Sequence, residues 1–104
     1  MPKKVNPQNF EQLINGKKPV LIDFFATWCG PCSIMSPVIK EIADEAKGVE
    51  VTKLDIDEFP EIAARYNVMS VPTFIIFKNG KEIERMIGAM PKELILEKIH
   101  KAIK

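Results

Sequence analysis

Cys29 and Cys32 are the only two cysteines in the chain, spaced three positions apart with Gly30 and Pro31 between them. Three chemistries fit such a pair: a metal clip, a structural staple, or a dithiol that opens and closes. Structural zinc takes four ligands, and the chain offers only one histidine, His100, beside its two thiols. His100 falls on the polar side of a C-terminal helical pattern with Glu93, Glu97 and Lys104, so it reads as a surface residue and no metal is expected. A staple across so short a loop removes little unfolded-state entropy, roughly 2 kcal/mol. The redox reading fits the local physics better. Pro31 suits the first turn of a helix. Cys29 then sits at the helix N-terminus, where unpaired amides and the positive end of the dipole stabilise a thiolate. Cys32, one turn in, is expected to be more buried and within bonding reach of Cys29. One cysteine attacks and the other resolves.

The elements that must position this pair read as one domain, residues 1–104. A chain of 104 residues that is 46% hydrophobic can bury a core without disulfide scaffolding. Its formal charge of +1, with no basic stripe and no acidic run, argues against a nucleic-acid partner. The first residues lack the apolar run of a signal peptide, and the longest apolar runs, 20–26 and 71–77, are too short to span a bilayer. With so few cysteines, the expected setting is a reducing compartment, the cytoplasm, away from membranes.

Along the chain, Asn9 is placed to cap a short helix over 10–14, with Gln12 completing a capping box. The near-continuous apolar run 20–26 suits a strand covered on both faces. Met35, Val38, Ile39, Ile42, Ala43 and Ala46 then recur at helical spacing. Pro37 should kink that helix, and Gly48 should end it. Residues 49–56 read as a strand parallel to the first, through a right-handed crossover, and 60–66 as a short helix. Thr73–Lys78 and Lys81–Ile87 flank Asn79-Gly80, the preferred two-residue hairpin turn because both positions take positive φ. A last helix from Pro91 is expected to bury Ile95, Leu96, Ile99, Ala102 and Ile103. The order βαβ then ββα implies a mixed central sheet flanked by helices on both faces.

Trp28-Cys29-Gly30-Pro31-Cys32 resembles the active-site motif of the thioredoxin family. The resemblance runs the length of the chain: Asp23-Phe24, Pro37, Lys53, Asp57, Val71-Pro72-Thr73-Phe74, Asn79-Gly80 and Gly88-Ala89. Three positions depart from the usual pattern: Ser33 replaces a basic residue, Phe25 a second tryptophan, and Ser70 a glycine or other small residue. The resemblance implies a thioredoxin fold and reduction of protein disulfides by exchange at Cys29 and Cys32. It also implies recharging by a thioredoxin reductase and no bound cofactor, since the dithiol is the carrier. The expected partners are that reductase and disulfide-containing target proteins, met by a monomer.

Asp23 is an acid inside an apolar strand, on the same face as Leu21 and Phe25, so burial should make it reluctant to ionise. The structural alternative is an ion pair with Lys53 on the neighbouring strand. The resemblance gives Asp23 a part in proton transfer at the buried cysteine, with Lys53 as its partner. It also implies a cis peptide before Pro72, which turns the Val71 backbone toward a substrate strand; without it, Pro72 could simply begin an edge strand. Trp28, Gly30, Pro31, Val71, Gly88 and Ala89 would then form a flat apolar patch around Cys29, although Trp28 could be half-buried packing. Two rival functions remain open. A disulfide isomerase or oxidant would more often replace Gly30-Pro31, and an accessory binding subunit would use the patch whatever the redox state of the cysteines.

Overall fold

A computed structural model describes residues 3–104. The elements run β1 (Lys3–Lys4), α1 (Pro7–Ile14), β2 (Val20–Phe25), α2 (Gly30–Glu45), β3 (Glu50–Asp55), α3 (Pro60–Arg65), β4 (Thr73–Lys78), β5 (Lys81–Ile87) and α4 (Lys92–Ile103). They form one five-stranded sheet in the order β1-β3-β2-β4-β5. β1 and β2 pair with β3 in parallel, whereas β4 runs antiparallel to β2 and β5 antiparallel to β4. The mixed sheet is the thioredoxin fold that the sequence implied.

Alternation along the central strands sends successive side chains to opposite faces. Leu21, Val51, Phe74 and Ile76 pack beneath α2 and α4, against Met35, Ile39, Ile42, Ile95 and Ile99. Val20, Ile22, Phe24, Leu54, Ile75 and Phe77 face α1 and α3, against Phe10, Ile14, Ile62 and Ala63. β2 is therefore covered on both sides, as its near-continuous apolar run, broken only by Asp23, requires. Asp23 has the parity of Leu21 and so points toward α2, where the cysteines are.

Several boundaries differ from the sequence reading. Asn6, not Asn9, caps α1: its side chain accepts from the Gln8 and Asn9 amides, and Asn9 reaches back to the Asn6 amide at 2.9 Å. Pro7 follows the cap and has no amide hydrogen to satisfy, which fixes the start three residues earlier; Gln12 stays outside the box. α2 continues through Pro37 and stops at Glu45 with Ala46 as its C-cap, so Gly48, which takes φ +81°, lies beyond the helix end and does not itself terminate it. At the far end of α4, Ile103 is 37% exposed, lying over Gly48 in place of entering the core. Leu96 is only partly buried against the core. The turn residues Asn79 and Gly80 adopt φ of 54° and 80° as the hairpin demands. β1 carries no sequence signal, because two residues cannot show a period.

Candidate functional site

Cys29 is the N-cap of α2. Its amide donates to the Ala26 carbonyl at 3.2 Å, closing the turn out of β2, and its extended backbone (φ −90°, ψ 114°) turns the side chain back over the helix start. There Sγ accepts from the Cys32 amide at 3.1 Å, one of the donors a helix N-terminus leaves unpaired. Pro31 occupies the first turn, where no amide hydrogen is needed. Cys29 and Cys32 are joined by a disulfide, with their Cα atoms 5.3 Å apart. The two residues are nearly equally covered, at 4% and 7% exposed, so Cys32 is not the more buried of the pair. What separates the two sulfurs is what each one faces.

Cys29 faces the loop before β4. The Val71–Pro72 peptide is cis, and the Val71 carbonyl oxygen lies 3.6 Å from Cys29 Sγ. The loop is tied down on both sides: Gly88 donates its amide to the Pro72 carbonyl at 2.9 Å, and Thr73 Oγ1 donates to the Ser70 carbonyl at 2.7 Å. Pro72 is buried and Val71 half-buried. Around them the surface is open. A Cβ built on Gly30 or Gly88 meets nothing within 4 Å, and Gly88 has φ +92°. Pro31 and Ala89 are exposed. Trp28 is 69% exposed, so it is not half-buried packing; its indole Nε1 donates to Asp57 Oδ2 at 2.6 Å, which fixes the ring. Three further exposed apolar side chains, Ile34, Met69 and Ile87, border the same segments. Sequence reasoning passed them over because each sits in a pattern that reads as ordinary helix, loop or strand.

Cys32 faces inward. It lines a cavity of about 210 Å³ with Asp23, Phe25, Ala26, Thr27, Ser33, Ser36 and Lys53. Asp23 is buried, in register with Lys53 on β3, and its Oδ1 has no hydrogen-bond partner within the protein. Burial pushes its carboxyl up to about 7, and the nearby Lys53 charge only partly opposes this. Of the two readings of this acid, burial wins over pairing. No ion pair joins it to Lys53, whose Nζ instead sits 4.6 Å from the centroid of the Phe25 ring. A carboxyl that changes charge near neutral pH, beside a sulfur that must gain and lose a proton, can serve as acid and base.

His100 is exposed on α4 and borders a surface hollow with Glu93, Glu97 and Lys104. Among the described residues no group of three or more acidic, histidine or cysteine side chains is placed to hold a metal ion. Nor is any helix among them long and apolar enough to cross a membrane.

The family model described as Thioredoxin matches residues 1–101. A protein named Thioredoxin from Alicyclobacillus acidocaldarius is 51% identical over 86 residues, covering 82% of each chain. Among solved structures, a mutant thioredoxin from Halobacterium salinarum superposes with a TM-score of 0.92 at 30% identity, covering 99% of this chain and 91% of that one. The oxidised mitochondrial thioredoxin 3 of Saccharomyces cerevisiae gives 0.87 at 36% identity, covering 96% and 94%.

Proposed function

The chain belongs to the thioredoxin family and is a protein-disulfide reductase working through its Cys29–Cys32 pair; from that premise we propose how its residues divide the reaction. In the reduced protein the Cys29 thiolate attacks one sulfur of a target disulfide. The other target sulfur leaves as a thiolate and takes up a proton. Cys32 then gives its own proton to Asp23 and attacks Cys29 Sγ, which releases the second target thiol and closes Cys29–Cys32. Two electrons pass from the dithiol to the target. A thioredoxin reductase returns them, so no bound cofactor is needed.

One observation carries this assignment: Cys29 Sγ is the cap of α2, held by the Cys32 amide. A helix N-terminus favours an anion, and Cys29 Sγ is the sulfur that accepts one of its amides. Cys32 instead faces the cavity that holds Asp23, the group suited to receive its proton. Lys53 acts on Asp23 through its charge. Trp28, Gly30, Pro31, Val71, Gly88 and Ala89 form the surface on which a target strand lies, and cis-Pro72 presents the Val71 backbone to it. The protein works as a single-domain monomer in the reducing cytoplasm; the compartment is supported by its having only two cysteines.

Insulin reduction and trapping test the assignment together. Wild type should reduce insulin disulfides with a chemical reductant and with a thioredoxin reductase. Cys32→Ser should accumulate mixed disulfides with targets and Cys29→Ser almost none; the opposite pattern reverses the roles. If target binding persists undiminished, and with biological effect, when both cysteines are serine, the accessory-subunit reading takes over.

A further inference from the structure

Lys53 has two possible partners on its own face of the sheet. It is in register with Asp23 across the β2–β3 pair, and Phe25 lies two residues further along β2. It is found against the ring, with Nζ 4.6 Å from the centroid, while Asp23 Oδ1 is left without a hydrogen bond. Phe25 and Lys53 are also the residues shared by two cavities. The inner one, about 210 Å³, contains Asp23 and Cys32. The outer one, about 80 Å³, is completed by Val5, Asp55 and Glu58. Ring and ammonium therefore stand between the buried carboxyl and two outer acids.

We propose that Phe25 is a positioning residue for the reaction: its ring holds the Lys53 ammonium off the Asp23 carboxyl. The carboxyl is then free to take and release the Cys32 proton, where an ion pair would lock it in the charged form. This rests on the reading in which Asp23 receives that proton. The physics is a competition for one cation. A ring face attracts an ammonium through its quadrupole; a carboxylate in contact attracts it too, and is thereby held ionised. Asp55 and Glu58, on the outer side, pull the ammonium the same way as the ring.

Few groups face Asp23. β3 contributes Lys53, α2 contributes Cys32 with the Ser33 and Ser36 side chains, and β4 contributes Phe74 in register. Lys53 is the one cation among the described residues lining the inner cavity. Its position is therefore the adjustable setting of the acid. Burial raises the carboxyl and Lys53 already opposes it from its present place, so an ammonium released onto Asp23 would oppose it more strongly.

The test is an NMR titration of the Asp23 carboxyl carbon in the oxidised protein, a readout that needs no turnover. Phe25→Leu and Phe25→Met remove the ring and should lower the Asp23 midpoint by about half a pH unit or more. Phe25→Trp keeps a ring face and should leave the midpoint at or above that of wild type. With Lys53→Met already in place, the same ring substitutions should shift nothing, because no cation remains to be released. A midpoint unmoved in the ringless variants, or moved equally without Lys53, overturns the positioning role. If the leucine variant does not fold, the methionine and tryptophan variants still decide. Failure of the underlying reading shows separately, as normal insulin reduction by Asp23→Asn.

Discussion

Asp23 concentrates the energetic conflict of this molecule in one carboxyl, and the sign of its effect on stability can be worked out. Its folded value of about 7 lies above its ordinary 3.8. Below the ordinary value the group is neutral whether folded or unfolded and costs nothing extra. Between the two values the native state holds a proton that the unfolded chain has lost, so stability falls as pH rises, then levels off above about 7. At about 1.4 kcal/mol per unit, the loss approaches about 4 kcal/mol. Asp23→Asn should therefore be the more stable protein at pH 8, with the gap closing by pH 4, in urea unfolding of the oxidised forms. It should also turn over disulfides more slowly; a destabilised variant with normal turnover would sink the proton-transfer role. At the cysteines, iodoacetamide should label Cys29 of the reduced protein before Cys32, because the capped sulfur is the one the helix amides favour as an anion. Peptide mapping that found Cys32 modified faster would reverse the pair. Much of this was legible beforehand. An acid in the run Leu21-Ile22-Asp23-Phe24 announces a buried carboxyl, and two cysteines beside Pro31 announce a helix start. What was not legible is where Lys53 goes, since register sets it opposite Asp23 with Phe25 on the diagonal, and only packing chooses.

At the scale of elements, periodicity foretold the strands and helices that have a covered face, and local hydrogen bonding then moved their ends. α1 shows why. Its apolar spacing begins at Phe10, but the chain enters the helix at Asn6 because that side chain caps two amides and Pro7 supplies a preset φ. Asn6→Ala should cost about 1 kcal/mol in urea unfolding, whereas Gln12→Ala, exposed and outside the box, should be near neutral; equal costs would restore the later start. The β4–β5 turn is the opposite case, where dipeptide chemistry alone sufficed. Gly80 takes φ +80°, and a Cβ there would run into the Asn15 side-chain oxygen at the end of α1. Gly80→Ala should accordingly lose more than about 1 kcal/mol, part of it recovered by also truncating Asn15 to alanine. The cis peptide before Pro72 was legible only through family resemblance. Nothing in the residues of that loop distinguishes it from the start of an ordinary edge strand.

Across the whole molecule, the covered and uncovered apolar surfaces have different jobs. The two faces of the sheet bury their side chains beneath helices, yet Trp28, Ile34, Met69 and Ile87 remain 62% exposed or more, on segments bordering Cys29. Apolar surface left in water around the largely covered Cys29 suits a partner that covers it during exchange. The residues assigned to that surface carry no charge, and the protein as a whole carries a formal +1. Encounter with a disulfide-bearing target should therefore owe little to long-range steering, which needs a field of one sign and weakens steeply with salt. Between 50 and 500 mM salt we expect kcat/KM for a neutral protein disulfide to change by less than about threefold. Trp28→Ala should lower the same constant by roughly tenfold, the order of loss for a central aromatic anchor, and leave reduction of a small disulfide nearly untouched. The small substrate matters because it reads the cysteines without needing the surface. Equal losses on both substrates would place Trp28 in support of the sulfur chemistry instead of docking. A steep fall with salt would show that charge brings targets to this protein and that the apolar rim only receives them.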